Sequence, residues 1–246
     1  MKAAVYSGTR NLYQGMVTAA KSLIANSSVE KVYFLIEDDE FPEKLPPIIE
    51  TINVSGQQYF PRDGVNYKTH FTYMSLLRVC YTKLIPNIQK ILQLDVDTVV
   101  VDNIDPLWDV NLENKWFAAV DEKLGTYKPY GPVYYNIGVA VFNLEQIRND
   151  GADDRMIMFL NKNRCQYIDQ DAWNGLGIGR DVELPTRYNE TFVTGYTEEP
   201  AIVHFAGYKQ WDTNPKVCRR EYLKKYREMS WEEVLHGKNP DRSANV

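Results

Sequence analysis

The chain has 246 residues, of which 44% are hydrophobic and 13% aromatic, a composition typical of a folded globular protein and not of a disordered one. Its formal net charge of −5 at pH 7 disfavours nucleic acid as the main partner. Because the 3 cysteines are far apart and no apolar run suits a signal peptide or a membrane span, we expect a cytoplasmic protein without a disulfide framework or a zinc knuckle.

Strands and helices alternate along the first part of the chain. Residues 3–6 predict a first strand, apolar residues at helical spacing over 16–23 predict a helix, and residues 32–36 predict a second buried strand. The proline pair at the start of 46–52 favours a helix over that range, and residues 58–60 favour a third strand. This alternation predicts an α/β fold with a mainly parallel central sheet and helices on both faces.

The polar loop at residues 7–13 follows the first strand. In a mainly parallel sheet this loop lies at the carboxyl edge, where nucleotides bind. The loop lacks the glycine-rich fingerprint of dinucleotide-binding and P-loop proteins, so neither class is supported.

The central stretch, residues 90–108, reads KILQLDVDTVVVDNIDPLW. A helix predicted over residues 70–84 leads into its buried strand, which is followed by Asp95 and Asp97. Two carboxylates two residues apart on an extended chain point to the same side, and oxygen ligands at a strand end suit a divalent cation. An Asp-x-Asp triplet also occurs by chance, but buried aspartate is rare unless it is paired or metal-bound. The stretch therefore predicts a metal and phosphate site.

Polar or flexible residues also follow or interrupt the strands predicted after the central stretch. Residues 116–120 predict a strand that ends at Asp121, and residues 122–132 predict a long loop that can cover a pocket. A further strand-like run, 134–142, contains Gly138. Glycine inside a strand often marks a place where a ligand or another part of the backbone approaches closely.

Two later segments carry polar clusters. After a helix predicted over 144–162, the Asp-Gln-Asp at 169–171 precedes a short helix and is richer in polar groups than capping requires. A short apolar strand over 201–203 leads into His204, with Gly207 and a lysine beyond it. A lone histidine after a strand is more often structural than a ligand, but a glycine N–H and a lysine ammonium both suit phosphate.

The tail over residues 216–246 is basic, whereas the remainder of the chain is more acidic. A capping-box pattern begins at Ser230, and we expect a helix that packs on the domain. Attachment to anionic lipid through basic and aromatic residues is the alternative. We predict that residues 1–246 form a single domain, with this tail as a helical extension.

Seven ordered motifs resemble those of the family 8 glycosyltransferases, which include bacterial lipopolysaccharide galactosyl- and glucosyltransferases and glycogenin. The motifs are SGTRNLY, HFTYMSLLR, LQLDVDTVVVDNIDPLWD, YYNIGVAVFNL, DQDAWNGL, LPTRYN and HFAGYKQW. Each is weak singly, but their order over about residues 2–211 is specific. The resemblance implies a GT-A fold, a nucleotide-diphosphate donor that is usually a UDP-hexose, Mn²⁺ or Mg²⁺ as the metal, and retention of configuration at the anomeric carbon.

The resemblance also implies roles for single residues. The implied metal ligands are Asp95, Asp97 and His204. The residues implied to contact the nucleotide donor are Ser7, Asn11, Tyr13 (with its ring on the base), Arg78, Val96, Asn136, Gly207 and Lys209. Those implied to surround the reacting centre are Gln170, Asp169, Asp121 and Arg78, and His70 is implied to lie near the acceptor.

Two segments depart from the family pattern. The family places two residues between the glycine and the lysine and then Pro-Trp, whereas here Tyr208 stands alone there and Gln210 replaces the proline. Lys209 then reaches the phosphates differently or is not the binding lysine. In the first loop, Gly8 and Thr9 stand near the place of an aspartate pair that is common in bacterial members.

The predicted function is that of a retaining glycosyltransferase that moves glucose or galactose from a UDP-sugar to a hydroxyl of a glycan, a lipid-linked sugar or a protein. Gln170 is an amide and a poor nucleophile, so same-face attack is favoured over a covalent intermediate. Two other functions stay open: a sugar-phosphate nucleotidyltransferase and a non-catalytic sugar-nucleotide-binding module. Peripheral membrane contact through the tail and a homo-oligomer also stay open.

Overall fold

The computed structural model describes residues 1–207 and 221–237. Its strands are β1 (Ala3–Ser7), β2 (Lys31–Ile36), β3 (Ile49–Asn53), β4 (Lys90–Leu94), β5 (Thr98–Val100), β6 (Phe117–Asp121), β7 (Tyr135–Asn143), β8 (Asp181–Glu183) and β9 (Ile202–His204). Its α-helices are α1 (Tyr13–Asn26), α2 (Tyr81–Leu84), α3 (Leu144–Asp150), α4 (Ala152–Lys162), α5 (Asp169–Leu176), α6 (Glu221–Glu228) and α7 (Trp231–His236). Short 3-10 helices cover Arg10–Leu12, Tyr73–Cys80, Asp105–Asp109 and Thr186–Tyr188.

The main sheet has seven strands in the order β3-β2-β1-β4-β7-β6-β8. The neighbours from β3 to β4 run parallel, as do β6 and β8, whereas β7 runs antiparallel to β4 and to β6. The prediction of a mainly parallel central sheet is confirmed. Because parallel strands end at the same edge, the polar residues that follow β1, β2, β3 and β4 share one edge of the sheet.

A second, two-stranded sheet lies beside that edge. Strands β5 and β9 pair antiparallel, with Thr98 opposite His204 and Val99 opposite Val203. Since β5 starts immediately after Asp97, this register carries His204 next to the acidic pair. Two segments far apart in the chain therefore meet at the carboxyl end of β4.

The main sheet is buried on both faces. Along β1, Ala3 and Val5 belong to one hydrophobic cluster, whereas Ala4 and Tyr6 belong to another, as the alternation of side chains along a strand requires. The first cluster includes residues of the 3-10 helix over 73–80, α4 and α5, and the second includes residues of α1 and α7. The predicted helices on both faces are confirmed.

The C-terminal helices α6 and α7 pack on α1. The buried Tyr226 hydroxyl accepts a hydrogen bond from Asn26 Nδ2 at 2.6 Å, and Lys21 Nζ donates at 2.6 Å to the backbone carbonyl of the segment between the two helices. Ser230 and Glu233 form a capping box at the start of α7. The predicted packing of a tail helix and its capping box are both confirmed.

The other parts of the predicted basic tail, residues 216–220 and 238–246, lie outside the described residues. Within the described ranges, no helix is long and apolar enough to cross a membrane. The single-domain organisation of the whole chain stays a prediction.

The segment after β2 differs from the prediction. The helix predicted over 46–52 is wrong, because residues 49–53 form the edge strand β3, whose β-branched residues favour extended backbone. The strand predicted over 58–60 is wrong as well. The Gln57 side chain bonds both the N–H and the carbonyl of Phe60, at 2.9 and 2.8 Å, and closes a turn there.

Two predicted helices are interrupted. The segment predicted over 70–84 is a 3-10 helix over residues 73–80 and becomes α-helical only in α2. The helix predicted over 144–162 is split at Gly151, which has φ of +59° and separates α3 from α4. Glycine adopts this left-handed conformation without strain, so it commonly ends a helix.

Candidate active site

The acidic pair follows β4 in a tight turn. The Asp95 N–H donates to the Gly138 carbonyl at 2.7 Å, and the Asp95 carbonyl accepts from both the N–H and the hydroxyl of Thr98, at 3.1 and 2.7 Å. This turn holds both carboxylates at the strand end, and Asp97 is only 2% exposed. The backbone hydrogen bonds therefore explain why two acids can lie where the apolar strand stops.

The imidazole of His204 faces the two carboxylates. Its Nε2 lies 3.5 Å from Asp95 Oδ2 and 3.4 Å from Asp97 Oδ1, and the residue is 5% exposed. Its Nδ1 lies 2.9 Å from Asn189 Oδ1. That oxygen can only accept, so Nδ1 carries a proton, and in the neutral imidazole the lone pair of Nε2 points at the carboxylates. A lone pair that faces two negative charges is stabilised when a cation lies between them.

These three side chains fit a divalent cation. Their ligand atoms lie within 4.8 Å of one another. Mixed carboxylate and imidazole ligands suit Mn²⁺ within the broad overlap between metals. An outer hydrogen bond that fixes the free ring nitrogen, here the one to Asn189, is the usual companion of a metal-binding histidine.

Gly138 leaves the space that the imidazole fills. A Cβ at this position would lie 2.2 Å from His204 Cε1 and 2.9 Å from Asp95 Oδ2. Real Cβ atoms essentially never approach so closely, so any other residue would displace the ring or the carboxylate. The close approach at this strand glycine is therefore made by two side chains, and not by the ligand or backbone that the sequence pattern predicts.

Arg78 lies beside the acidic pair. Its guanidinium contacts Asp95 and lies 3.5 Å from Asp169 Oδ2. Burial alone would lower the pKa of Arg78, but the charges of Asp95 and Asp169 outweigh it and raise that pKa. The guanidinium is therefore a fixed positive charge. Among the described residues no acceptor lies within hydrogen-bond distance of Arg78 Nε.

Asp169 is the first residue of α5 and is 3% exposed. Burial raises its pKa to about 7, against the lowering effect of Arg78 and with a further raising effect from Asp95. A carboxyl with this pKa is partly protonated at neutral pH. It can therefore change charge in response to a bound cation or a charged ligand.

Gln170 and Asn136 meet at one carboxylate oxygen. Glu122 Oε1 accepts from Gln170 Nε2 at 3.1 Å and from Asn136 Nδ2 at 2.7 Å. The Gln170 carbonyl accepts from the Ile137 N–H at 3.0 Å. Burial raises the pKa of Glu122, while the hydrogen bonds from both amides lower it.

Sequence reasoning missed Glu122 and Asn189. The only signal for Glu122 was an acid directly after the strand-ending Asp121, and residues 122–132 were taken as a loop. The motif LPTRYN ends at Asn189, so the resemblance did point to that segment, but not to the contact with His204.

Asp121 secures the loop that follows it. Its carboxylate accepts from the Tyr134 N–H at 2.9 Å and from Lys128 Nζ at 3.3 Å. The predicted loop over 122–132 is thereby tied to the start of β7. The role of Asp121 near the donor sugar stays a prediction.

A cleft of about 520 Å³ lies at the carboxyl ends of β1, β2 and β3. It is lined by Arg10, Glu37, Asp38, Ser55, Arg62, Tyr67 and Tyr73. None of these was a predicted contact, although most follow the strand ends where nucleotides bind. The cleft offers space at this edge for part of a ligand.

The residues predicted to contact the nucleotide lie around this edge. Tyr13 is buried, stacks on Phe41 with ring centroids 4.8 Å apart, and bonds Asp38 through its hydroxyl at 2.9 Å. Asn11 is exposed in the loop after β1, whereas Ser7 at the end of β1 and Val96, between the two acids, are buried. Their contacts with a nucleotide stay predictions.

The last predicted residues lie farther along the chain. Gly207 has φ of +76°, a conformation that favours glycine, and a Cβ there would lie 3.5 Å from the Phe192 ring. Lys209 lies outside the described residues. The ring of His70 packs on Phe71 with centroids 3.9 Å apart, and its role near the acceptor stays a prediction.

Comparison with known proteins agrees with this geometry. A family profile described as glycosyl transferase family 8 matches residues 4–214. A Haemophilus influenzae protein is 30% identical over 69% of the chain, and the glycosyltransferase GlyD of Streptococcus pneumoniae serotype 4 is 24% identical over 95% of it. The chain spans 57% and 31% of the length of these two relatives.

A solved structure shares the fold. The structure of the galactosyltransferase LgtC in complex with donor and acceptor sugar analogues matches with a TM-score of 0.71 over 96% of this chain and 100% of that protein. The two sequences are 23% identical. The likeness shows that the chain has the GT-A fold.

Proposed function

The chain belongs to glycosyl transferase family 8, and from this we propose that it moves a hexose, glucose or galactose, from a UDP-sugar to an acceptor hydroxyl. The observation that carries the proposal is the convergence of Asp95, Asp97 and His204 at the carboxyl end of β4. A bound metal with open positions there suits the diphosphate of a nucleotide sugar.

The three convergent side chains are proposed to hold Mn²⁺, with Mg²⁺ as the alternative. When bound, the ion would supply a Lewis acid that neutralises charge on the leaving diphosphate. Arg78 adds a fixed positive charge beside it, because its burial limits screening by water. The residues proposed to contact the donor are Ser7, Asn11, Tyr13, Val96, Asn136, Gly207 and Lys209.

The nucleoside part is proposed to enter the cleft at the ends of β1, β2 and β3. The volume of about 520 Å³ is within the range of small-molecule sites. The exposed Arg10 and the Tyr73 ring line it and can contact polar and aromatic parts of a nucleotide.

Gln170 is proposed to lie on the face of the sugar opposite the leaving group. One lone pair of its carbonyl accepts from the Ile137 N–H, so the other remains for a developing positive charge. An amide is a poor nucleophile, which favours same-face attack with retention, in which the leaving phosphate takes the acceptor's proton. Asp169 and Asp121 are proposed to surround the donor sugar, and His70 the acceptor.

The acceptor is proposed to be a glycan, a lipid-linked sugar or a protein. We keep as proposals that the chain works as one domain, that its basic tail touches a membrane surface, and that it forms a homo-oligomer. The exposed Lys224, Lys225 and Arg227 of α6 support the second of these.

The test is to incubate the protein with a panel of UDP-sugars and Mn²⁺ and to measure release of UDP. We expect release with one UDP-hexose and loss of that release in Asp97→Asn, while Asp109→Asn, an exposed aspartate, serves as the matched control. Mn²⁺ with UDP should also raise the melting temperature, because it binds the folded state.

Three outcomes are informative. No release and no shift at saturating UDP and Mn²⁺ would refute the proposal. A shift without release from any donor or acceptor would indicate the binding module, and release of pyrophosphate from a nucleoside triphosphate would indicate the nucleotidyltransferase.

A further inference from the structure

Glu122 lies at the centre of a buried polar network that joins the two parts of the proposed site. It follows β6 directly and is buried, and the Gly125 N–H donates to its carbonyl at 3.0 Å, which closes a turn over the carboxylate. One oxygen, Oε1, accepts from both Asn136 and Gln170. A single oxygen therefore holds two side-chain amides together.

The direction of each amide follows from that shared acceptor. A carboxylate only accepts, so the nitrogens of both amides face it and their oxygens face away. The Gln170 oxygen then accepts from the Ile137 N–H at 3.0 Å, and the Asn136 oxygen accepts from the Gly138 N–H at 3.1 Å. If either amide were reversed, an N–H would face an N–H at one end and two oxygens would meet at the other.

The same direction continues to the imidazole. Asn136 Oδ1 also accepts from Asn189 Nδ2 at 2.9 Å, so the oxygen of Asn189 faces His204. That oxygen accepts from His204 Nδ1 at 2.9 Å. A proton is thereby held on Nδ1, and in the neutral imidazole Nε2 has its lone pair toward Asp95 and Asp97.

We propose that Glu122 is a positioning residue that fixes the amide of Gln170 directly and, through Asn136 and Asn189, the tautomer of His204. The roles of Gln170 and His204 rest on the proposed function, but the tautomer itself does not. Glu122 is not one of the three candidate metal ligands, and its proposed effect passes through its hydrogen bonds to Asn136 and Gln170. Partners of this kind orient metal-binding histidines and raise their basicity.

The test uses two substitutions that separate the hydrogen-bond acceptor of the Glu122 side chain from its volume. Glu122→Gln keeps an oxygen that can accept from both amides, whereas Glu122→Met keeps the volume and removes the acceptor. Glu183→Met, a change at an exposed glutamate on the adjacent β8, is the matched control. Metal-free protein labelled with ¹⁵N-histidine is compared by NMR, and the 3 histidines of the chain make the ring-nitrogen spectrum simple.

At a pH where the imidazole is neutral, we expect His204 to carry its proton on Nδ1 in the natural protein and in Glu122→Gln. In Glu122→Met the Gly138 N–H still holds the Asn136 oxygen, so we expect a mixture of tautomers and not a full reversal. The Mn²⁺ affinity, measured by the electron paramagnetic resonance signal of free Mn²⁺, should fall about 10- to 100-fold in Glu122→Met only.

The proposal would be overturned if Glu122→Met left both the His204 tautomer and the Mn²⁺ affinity unchanged. It would also be overturned if Glu122→Gln lost as much Mn²⁺ affinity as Glu122→Met. If Glu122→Met fails to fold, Gly125→Ala shifts the same side chain by a few tenths of an ångström, because the added Cβ would lie 3.1 Å from both Cβ and Oε2 of Glu122. The same shifts, smaller in size, are then expected, and their absence would overturn the proposal. Failure of the UDP-sugar panel alone would leave the NMR result intact, so the two proposals fail separately.

Discussion

At the edge formed by β1, β2 and β3, the Arg10 side chain is 74% exposed where it pairs with Asp38, whereas beside β4 the Arg78 side chain is 14% exposed where it pairs with Asp95. The first pair borders an open cleft, and solvent screens it. The second lies against Asp169 and the three candidate metal ligands. The same kind of ion pair therefore contributes differently to the free energy of unfolding in the two regions, because screening by water depends on exposure.

The two regions also differ in how firmly their polar groups are oriented. Around Glu122 each amide is held at both ends, so the chain alone fixes its direction. In the cleft, Arg10 is an exposed, flexible side chain that can change partner when a ligand enters. The region near the acidic pair is therefore organised before a ligand binds, while the cleft can adapt to the ligand.

The largest effect is expected from Arg78→Met. Removing one partner of a buried ion pair leaves Asp95 and Asp169 without their cation, which typically costs about 3–5 kcal/mol. Urea denaturation of metal-free protein should show this loss in the free energy of unfolding. A loss no larger than that of Arg10→Met would show that the buried ion pair contributes no more to stability than the exposed one.

The second largest loss of stability is expected from Gly138→Ala. The added Cβ would crowd His204 and Asp95, and overpacking of this kind typically costs about 1–3 kcal/mol. The rise in melting temperature caused by Mn²⁺ should also disappear, since the ligands are displaced. Gly56→Ala is the control, because nothing lies within 4 Å of a Cβ there. A normal Mn²⁺ response in Gly138→Ala would count against the three-ligand site.

The third prediction concerns pH. Burial raises the pKa of Asp169 from its ordinary value of 3.8 to about 7. The folded state thus holds this proton more tightly than the unfolded state, and the resulting stability is full below pH 3.8 and is lost as pH rises through about 7. Asp169→Asn stays neutral, so its free energy of unfolding should lack this decline, which has a slope of at most about 1.4 kcal/mol per pH unit.

This slope is measured by urea denaturation between pH 4 and pH 8 with the metal removed by a chelator. Asp109→Asn should follow the natural protein across the range, because Asp109 is exposed. Parallel curves for Asp169→Asn and the natural protein would show that the carboxyl titrates normally.

The smallest effect is expected from Arg10→Met. Its guanidinium is exposed and its pair with Asp38 is screened, so the denaturation midpoint should stay the same within error. A clear loss of stability in this variant would mean that the cleft is as firmly organised as the region beside β4.

Short-range sequence patterns predicted the buried strand β4 and the place where it ends. The apolar run before Asp95 marked β4, and two acids two residues apart marked its end. The helix predicted over 46–52 was wrong because a proline pair suits both a helix start and an irregular turn. The β-branched residues that follow the prolines favour the extended backbone of β3.

The site required more than local patterns. The apolar strand before His204 marked it as a possible metal ligand and the family resemblance assigned it that role, but its approach to Asp97 depends on the register between β5 and β9, which the sequence does not show. Glu122 could not be predicted, since its partners Asn136 and Gln170 lie on β7 and α5 and periodicity does not report the direction of a side-chain amide. Tertiary hydrogen bonds, not composition, assemble this network.

The pairing of β5 with β9 also has a consequence for synthesis of the chain. A ribosome produces Asp95 and Asp97 long before His204, and a nascent chain tends to fold from its N-terminal part first. Until β9 emerges, the two acids lack their third partner. The candidate metal site is therefore among the last parts to be completed during translation, and a prematurely released polypeptide that stops before β9 would lack one of its three proposed ligands.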